Sequence, residues 1–267
     1  MDELARKVED LLKGGTISAF LGMRQISGQS IPFLFTNPED VRALTAGDTR
    51  YPLAKIILKI ARHYPEHTLG IMVRGCDEKA LIELYRNQQL DRTKVIPVGV
   101  RCSQELAERC TCPQPYPSQC GPGEVRGVPP DRAALETVES LPLDERFRYW
   151  VNQFGKCIKC YGCRNICPVC FCDVCTLEDA PLIPLGEIPP QVPAFHLSRA
   201  FHMAGRCIDC GLCEEACPAA IPLRTLYRKV REIVKEHFDF LPGEAGEGAS
   251  PIQTLGDGSF EITEHHH

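Results

Sequence analysis

The chain opens with a helical pattern of apolar residues followed by two short apolar runs. Leu4 and Val8 recur at helical spacing, which predicts a helix that ends before Gly14. Runs rich in β-branched and aromatic residues at 16–21 and 31–36 predict strands. The opening pattern is typical of a domain that mixes helices and strands.

A helix start and a further helical face come next. Asn37 precedes Pro38 and two acidic residues, the residue types preferred at a helix N-terminus. Leu53, Ile56 and Ile60 then lie on one side of a predicted helix. The apolar faces of these helices must be covered by a sheet or by each other.

Two continuously apolar strands flank a helical segment in the middle of the first half. The strands are predicted at 68–73 and 95–100, and the helix between them at 77–90. Strands joined in this way form a parallel, right-handed βαβ unit. Cys76 and Cys102 follow the two strands, so we expect both at the sheet edge where open α/β folds place their ligands.

The second half contains a loop-like connector and several predicted helices. Residues 110–130 are dense in Pro, Gly and Cys and predict a loop. Helices are predicted at 131–154, 196–206 and 223–238. The cysteine motifs of the second half lie between these helices.

These patterns predict two domains and a tail. We predict an α/β domain with a small parallel or mixed sheet over 1–130 and an α+β dicluster ferredoxin-like domain of the bacterial type over 131–241. An extended tail follows over 242–267, where Gly, Glu and Ser become frequent. Its last residues, 264–267, are similar to the remnant of a purification tag and are not counted as metal ligands.

Composition and charge narrow the class of protein. Of 267 residues, 43% are hydrophobic and 24% charged, which is typical of a globular chain. No apolar run is long enough to insert into a membrane, and the N-terminus lacks the apolar core of a signal peptide, so we expect a cytoplasmic protein. The net charge of −5 gives no attraction to nucleic acid. Protein redox partners are expected instead.

Sixteen cysteines in a chain expected to stay in a reducing compartment point to metal binding rather than disulfides. Two segments, beginning at Cys157 and Cys207, have the spacing C-x2-C-x2-C-x3-C-P. In this motif the first three thiolates bind one 4Fe-4S cluster, and the fourth binds the other. The predicted ligands are Cys157, Cys160, Cys163 and Cys217 for cluster 1, and Cys207, Cys210, Cys213 and Cys167 for cluster 2.

Zinc is the alternative metal, since it also takes four thiolates. Zinc ribbons use two C-x2-C knuckles, however, rather than three closely spaced cysteines followed by a fourth and a proline. The spacing therefore favours iron–sulfur clusters.

The remaining cysteines permit two more clusters. Cys76 and Cys102 share the predicted sheet edge, and the cysteine-rich loop follows Cys102 directly. Buried single cysteines also occur as small hydrophobic residues, but not usually in groups this dense. The predicted sets are Cys76, Cys102, Cys112 and Cys120 for cluster 3, and Cys110, Cys170, Cys172 and Cys175 for cluster 4.

Three segments of the α/β part resemble the beta subunits of deazaflavin-coenzyme-reducing hydrogenases and related formate dehydrogenases. They are Thr45-Ala46-Gly47-Asp48-Thr49-Arg50-Tyr51, Val73-Arg74-Gly75-Cys76-Asp77 and Gly99-Val100-Arg101-Cys102-Ser103. The dicluster module, with residues 196–218, is similar to iron–sulfur subunits that accompany heterodisulfide-reductase-type complexes.

The resemblance implies an electron-transfer subunit of an anaerobic, hetero-oligomeric oxidoreductase. Such a subunit relays electrons between a catalytic subunit, of the formate dehydrogenase or hydrogenase type, and a heterodisulfide-reductase-like or other redox partner. It performs no bond-making chemistry itself. The alternative implied by the same resemblance is an FAD-containing subunit that reduces a deazaflavin or nicotinamide carrier.

Overall fold

The fold is described from a computed structural model, which covers residues 2–178, 183–184, 186–246 and 250. Its centre is a mixed five-stranded sheet in the first half of the chain. The order is β2-β1-β4-β5, and β3 pairs with the free part of β1. The strands are β1 (Ala19–Ile26), β2 (Gln29–Phe35), β3 (Leu44–Thr45), β4 (Leu69–Val73) and β5 (Val95–Gly99).

The predicted mixed sheet is confirmed, with one change in strand length. The strand predicted at 16–21 begins at Ala19 and continues to Ile26, because its second half pairs with β2 in an antiparallel hairpin. Ser27 and Gly28 close the hairpin with φ values of 49° and 80°. Positive φ at both central residues is the geometry of a two-residue hairpin turn.

The described residues form ten α-helices, and the first three of them contact the sheet. Short 3₁₀ turns lie at Pro38–Ala43, Arg92–Lys94 and Thr176–Glu178. The helices are α1 (Asp2–Lys13), α2 (Leu53–His63), α3 (Gly75–Arg86), α4 (Gln104–Arg109), α5 (Ala133–Glu139), α6 (Leu143–Phe154), α7 (Gly162–Asn165), α8 (Ala194–Met203), α9 (Leu212–Glu215) and α10 (Leu223–Phe238).

The predicted βαβ unit is present as β4, α3 and β5. The two strands are parallel neighbours, with Val73 opposite Gly99 at their carboxyl ends. Helix α3 begins at Gly75, two residues before the predicted start, so Cys76 lies in its first turn. The Asp77 carboxylate accepts a hydrogen bond from the Arg74 amide at 3.1 Å and stabilises this earlier start.

Two other predicted helical segments differ in detail. The helix expected over 131–154 is divided into α5 and α6, and Pro142, which cannot donate a backbone hydrogen bond, lies between them. The helix start at Asn37 leads into a 3₁₀ turn, and the Asn37 side chain accepts from the Glu39 amide at 3.1 Å as a cap.

The ferredoxin-like half is helical in the part of the chain that the structure describes. From residue 131 on, these residues contain α5–α10 and one 3₁₀ turn, without the strands expected of an α+β domain. Pro168, Pro218 and Pro222 lie in the segments that connect the helices and remove amide donors that a strand ladder requires. Cysteine-bearing loops and short helices take the place of a sheet.

One cluster of buried side chains runs through both halves of the molecule. It includes Phe20 and Ile71 of the sheet, Phe154 at the end of α6, and Ile221 and Tyr227 around the start of α10. The second half therefore packs directly on the first. The longest described helix, α10, has 16 residues, and none of the described helices combines the length and apolar character needed to cross a membrane.

The beginning of the predicted tail is bound to the body of the protein. The Gly243 amide donates to the Glu83 carboxylate at 2.7 Å, and Arg231 donates to the Pro242 carbonyl at 2.8 Å. Arg86 donates to the Glu244 carbonyl at 2.7 Å. Residues 251–267, including the tag-like end, lie outside the described residues.

Candidate iron–sulfur centres

The two ferredoxin motifs form loops with the same backbone geometry. We call residues 157–163 the first loop and residues 207–213 the second loop. Lys159 and the matching Asp209 have φ values of 53° and 56°, and Tyr161 and the matching Gly211 have values of 57° and 78°. Non-glycine residues are uncommon in this left-handed region. Its repetition at matched positions indicates a backbone shape that the loops require.

This backbone shape turns amide groups toward sulfur. The Lys159 amide donates to the Cys157 Sγ at 3.3 Å, and the Gly162 amide is 3.5 Å from the Cys160 Sγ. In the second loop the Asp209 and Leu212 amides bond to Cys207 and Cys210. Amide donors favour the thiolate form and tune the potential of a bound cluster.

The structure brings the cysteines of the two motifs together across the loops. Cys217, from the second motif, lies near Cys157 and Cys163 of the first loop. Cys167, from the first motif, lies near Cys207 and Cys213 of the second loop. The predicted ligand sets, which remain a prediction, combine these thiols into two groups of four, the number that a 4Fe-4S cluster takes.

The second set encloses a small cavity, which we call the second-loop cavity. It is lined by Cys167, Cys207, Cys210 and Cys213, with Arg199 and Tyr227 in its wall. Burial raises the pKa of Cys207 to about 11 and that of Cys210 to about 12. Burial thus favours the protonated thiols, and a bound metal would be held by their deprotonated form, so metal binding and deprotonation would be coupled here.

The two loops differ in their exposure. Ile158 of the first loop is 50% exposed, whereas the matching Ile208 is 5% exposed. Asp209 is covered by α10, where Arg224 and Arg228 pair with its carboxylate at 2.7 and 3.0 Å. The first loop is consequently open to solvent at Ile158, and the second loop is enclosed at Ile208.

A third group of cysteines lines a cavity at the predicted sheet edge, which we call the strand-rim cavity. Its volume is about 410 Å³, and Arg50 and Arg74 are in its wall. Cys76 enters from the first turn of α3, and Cys102 follows β5. The cysteines that line it are Cys76, Cys102, Cys110, Cys112 and, from the second loop, Cys210.

Cys110 and Cys120 occupy different places from those expected. Cys110 lines the strand-rim cavity, although the sequence grouped it with the cysteines of the later insertion. Cys120 is absent from the described lining of that cavity and lies beside β5, where a Cβ added to Gly99 would be 2.5 Å from its Sγ. Helix α4 ends at Arg109 with Cys110 as its C-cap, and Cys110 and Cys112 both lie in the cavity wall directly after it.

Cys170, Cys172 and Cys175 line a further cavity of about 380 Å³, which we call the insertion cavity. Cys110 is not among its described lining residues. The sequence predicted the three insertion cysteines as a group but paired them with a fourth ligand, Cys110, that lies far away in the chain. Within the described part of the chain, no three His, Cys, Asp or Glu side chains converge closely enough to hold a single metal ion.

Two arginines next to the cysteine sets, Arg199 and Arg50, were not identified as site residues from the sequence. Arg199 is 3% exposed and donates to the Cys163 carbonyl at 2.9 Å, and its other Nη lies 3.7 Å from the Cys170 Sγ. Arg50 donates to the Cys210 carbonyl. An arginine on the same face of α8 as Phe195 and Met203 was the available signal for Arg199, since a buried guanidinium requires partners.

Comparison with known families defines the class of protein. Residues 201–222 match the family described as "4Fe-4S binding domain". This match covers the end of α8, the second loop and the short helix α9. These residues therefore match an iron–sulfur binding module of the kind found in ferredoxins, a class of proteins that transfers electrons.

Similarity to individual proteins narrows the assignment. The F420-dependent formate dehydrogenase subunit beta of Methanocaldococcus jannaschii is 40% identical over 94 residues, which are 35% of this chain and 25% of that protein. The F420-dependent formate dehydrogenase 1 subunit beta of Methanococcus maripaludis is 45% identical over 104 residues, 38% of this chain and 27% of that protein. These matches confirm the predicted resemblance to the beta-subunit family with a ferredoxin module.

A third relative shares a longer but more distant region. Lactate utilization protein B of Bacillus cereus is 30% identical over 146 residues, 52% of this chain and 29% of that protein. The matched regions are therefore between a quarter and a third of the length of each of these relatives.

Proposed function

We propose that this chain is an iron–sulfur electron-transfer subunit of a multi-subunit oxidoreductase. The observation that carries the proposal is the position of Cys210, which lines both the second-loop cavity and the strand-rim cavity. Two cysteine sets that share a wall residue are direct neighbours. Their adjacency supports an electron path between the ferredoxin-like half and the sheet edge.

The residues fit iron–sulfur clusters at three sites. A 4Fe-4S cluster supplies one-electron storage at a potential set by its surroundings. For cluster 3 we now propose Cys110 in place of Cys120, because Cys110 lines the strand-rim cavity. The proposed ligands are Cys157, Cys160, Cys163 and Cys217; Cys207, Cys210, Cys213 and Cys167; and Cys76, Cys102, Cys110 and Cys112.

The first loop is the proposed place where electrons pass to or from an external partner. Ile158 and Cys160 are exposed there, and the adjacent Lys156 is exposed as well. An apolar side chain next to a cation favours contact with an acidic redox protein. The enclosed second loop has no comparable surface, since Ile208 is buried and Asp209 is paired.

The identity of the partners is proposed from the relatives. Two of them are named beta subunits of formate dehydrogenases. We propose a hetero-oligomeric complex in which this chain connects a catalytic subunit of the formate dehydrogenase or hydrogenase type with a heterodisulfide-reductase-like or other redox partner. The competing function is an FAD-containing subunit that reduces a deazaflavin or nicotinamide carrier.

A cofactor count on anaerobically purified protein tests this proposal. Iron, acid-labile sulfide and released flavin are measured per chain. About twelve irons or more per chain, without flavin, are expected if the three proposed sites are filled, and iron near eight would contradict the strand-rim site. One flavin per chain would instead favour the competing function.

The position of the external contact is tested by a matched pair of variants. Ile158→Ser should slow electron exchange with an acidic ferredoxin, measured by stopped flow, while leaving stability and iron content unchanged. Ile208→Ser should instead destabilise the fold by about 2–5 kcal/mol, because it removes a buried apolar side chain. Equal exchange rates for wild type and Ile158→Ser would place the contact elsewhere.

A further inference from the structure

The insertion cavity has features that the three-cluster relay does not use. Three cysteines with the spacing C-x-C-x2-C line it directly after the first ferredoxin motif. Cys172 is exposed, and Cys170 and Cys175 are partly buried. Its volume of about 380 Å³ is within the range of small-molecule sites.

The wall of this cavity carries more positive than negative charge. Its two described acids are already paired, Asp173 with Arg62 and Glu178 with Arg164, each at 2.6 Å. The cations of the wall outside these two pairs are Lys55, Lys59, Arg199 and Arg206. Such a wall balances a bound anionic group.

Two of these cations, Arg199 and the partly buried Arg206, each have a buried nitrogen with donor capacity to spare. The Nε atoms of Arg199 and Arg206 are buried and have no hydrogen-bond partner among the described residues. Arg199 as a whole is 3% exposed, and the Arg206 guanidinium is stacked 4.7 Å from the centre of the Phe171 ring. Unsatisfied buried donors cost free energy unless an acceptor is present, so they point to a bound group.

Arg199 also connects the cavity to the ferredoxin loops. One Nη donates to the Cys163 carbonyl at 2.9 Å, and the other lies 3.7 Å from the Cys170 Sγ. The same side chain lines the second-loop cavity. A redox group at Cys170 would therefore lie next to the proposed relay.

We propose that Cys170, Cys172 and Cys175 bind a fourth iron–sulfur cluster through three thiolates, and that its remaining iron takes a small anionic ligand from the insertion cavity. The three-thiolate set follows from the placement of Cys110 in the strand-rim cavity, which leaves no fourth cysteine among the described lining residues. Lys55 and Lys59 recognise the negative charge of the ligand. The inference rests on the proposed iron–sulfur function.

The ligand class follows from the same wall. A thiolate donor suits iron, and a second negative group suits the lysines. Thioglycolate, which carries a thiol and a carboxylate, is the matched probe. Cysteamine, which carries a thiol and an ammonium group, is the control. On binding, the thiol releases its proton to water and no electron is transferred.

The first experiment compares Cys172→Ser with Val174→Ala after anaerobic purification with ⁵⁷Fe. Val174 is an exposed neighbour in the same segment. Cys172→Ser is expected to lose about four irons and four sulfides per chain relative to wild type, and Val174→Ala to lose none. Unchanged iron in Cys172→Ser, or zinc in place of iron in the wild type, would overturn the proposal.

The second experiment tests the open position on the wild-type protein and on Lys55→Gln, which keeps all cysteines. Thioglycolate is expected to change the Mössbauer signal of one iron per cluster in wild type, with at least a tenfold weaker affinity in Lys55→Gln. An equal response to cysteamine, or no response to either thiol, would overturn the exchangeable site.

Failure of the fourth cluster and failure of the proposed function would give different iron contents. If Cys172→Ser keeps about twelve irons that dithionite reduces, the relay stands whatever the outcome at the insertion cavity. If wild type holds no iron at the ferredoxin loops, the proposed function fails and the fourth cluster fails with it.

Discussion

Arg50 joins the sheet-bearing half of the protein to the second ferredoxin loop by donating to the Cys210 carbonyl and, at 2.7 Å, to the Glu215 carboxylate. Its side chain is 9% exposed. Burial opposes its charge, but Cys76, Cys210 and nearby negative groups more than offset this and raise the pKa of Arg50. A permanent positive charge is thereby held between the second-loop and strand-rim cavities.

Arg50→Gln should make reduction of the enclosed ferredoxin cluster less favourable. Reduction adds a negative charge, and the variant removes a buried cation beside Cys210. We expect the potential of that cluster to fall in an EPR-monitored redox titration. The cluster of the first loop is the internal control, since Arg50 contacts only the second motif there. Equal shifts at both clusters would indicate a general structural change.

Cys110→Ser and Cys120→Ser distinguish the ligand set of the strand-rim cavity. Cys110 lines the cavity and Cys120 does not, among the described residues. Cys110→Ser should therefore lower iron by up to about four atoms per chain, while Cys120→Ser keeps the wild-type content. The measurement is iron and sulfide per chain under anaerobic conditions. The opposite pattern would restore the ligand set expected from the sequence.

Asp209→Asn should destabilise the protein because it leaves two arginines without their carboxylate. Asp209 pairs with Arg224 and Arg228, and the three side chains are 13–16% exposed. Loss of one partner in such a buried group costs about 3 kcal/mol. Urea unfolding of the iron-loaded protein measures the change.

Asp239→Asn is the matched control for that experiment. Asp239 is 90% exposed and pairs with Lys235 one turn earlier in α10. Its φ of 48° suits asparagine, so the backbone is preserved. We expect a loss of at most about 0.5 kcal/mol, because exposed pairs contribute little. Similar losses in both variants would show that Asp209 is no more important than a surface pair.

His196 should make the protein sensitive to mild acid. Its ring stacks on Phe154 with centroids 4.5 Å apart, and burial, with a smaller effect of Arg199, lowers the pKa of His196 to about 4. Below pH 6.5 His196 becomes protonated in the unfolded chain but stays neutral in the folded protein. The free energy of unfolding therefore falls between pH 6.5 and 4, by up to about 3 kcal/mol, and is unaffected above pH 6.5.

The pH effect is measured as the difference between variants, because acid also releases iron from clusters. His196→Gln should show a shallower loss of stability than wild type between pH 6.5 and 5, by urea unfolding. His202→Gln, an exposed position on the same helix, should follow the wild-type curve. Parallel curves for all three proteins would refute the role of His196.

Local patterns were sufficient for much of the fold. The helical face at Leu53, Ile56 and Ile60 and the apolar run that forms β4 are short-range signals, and both elements are where they were predicted. The parallel pairing of β4 with β5 followed from the helix between them. Differences arose where pairing or proline intervened, as in the extension of β1 by its hairpin and the break before α6 at Pro142.

The sequence by itself determined the ferredoxin spacing, because a loop of three close cysteines needs no distant contact to be recognised. It did not determine that Ile158 is exposed and Ile208 buried, since the two loops differ only in what α10 covers. Nor did it distinguish Cys110 from Cys120. Tertiary structure decided both, because burial and proximity depend on chain segments that are far apart in sequence, as Arg50 and Cys210 are.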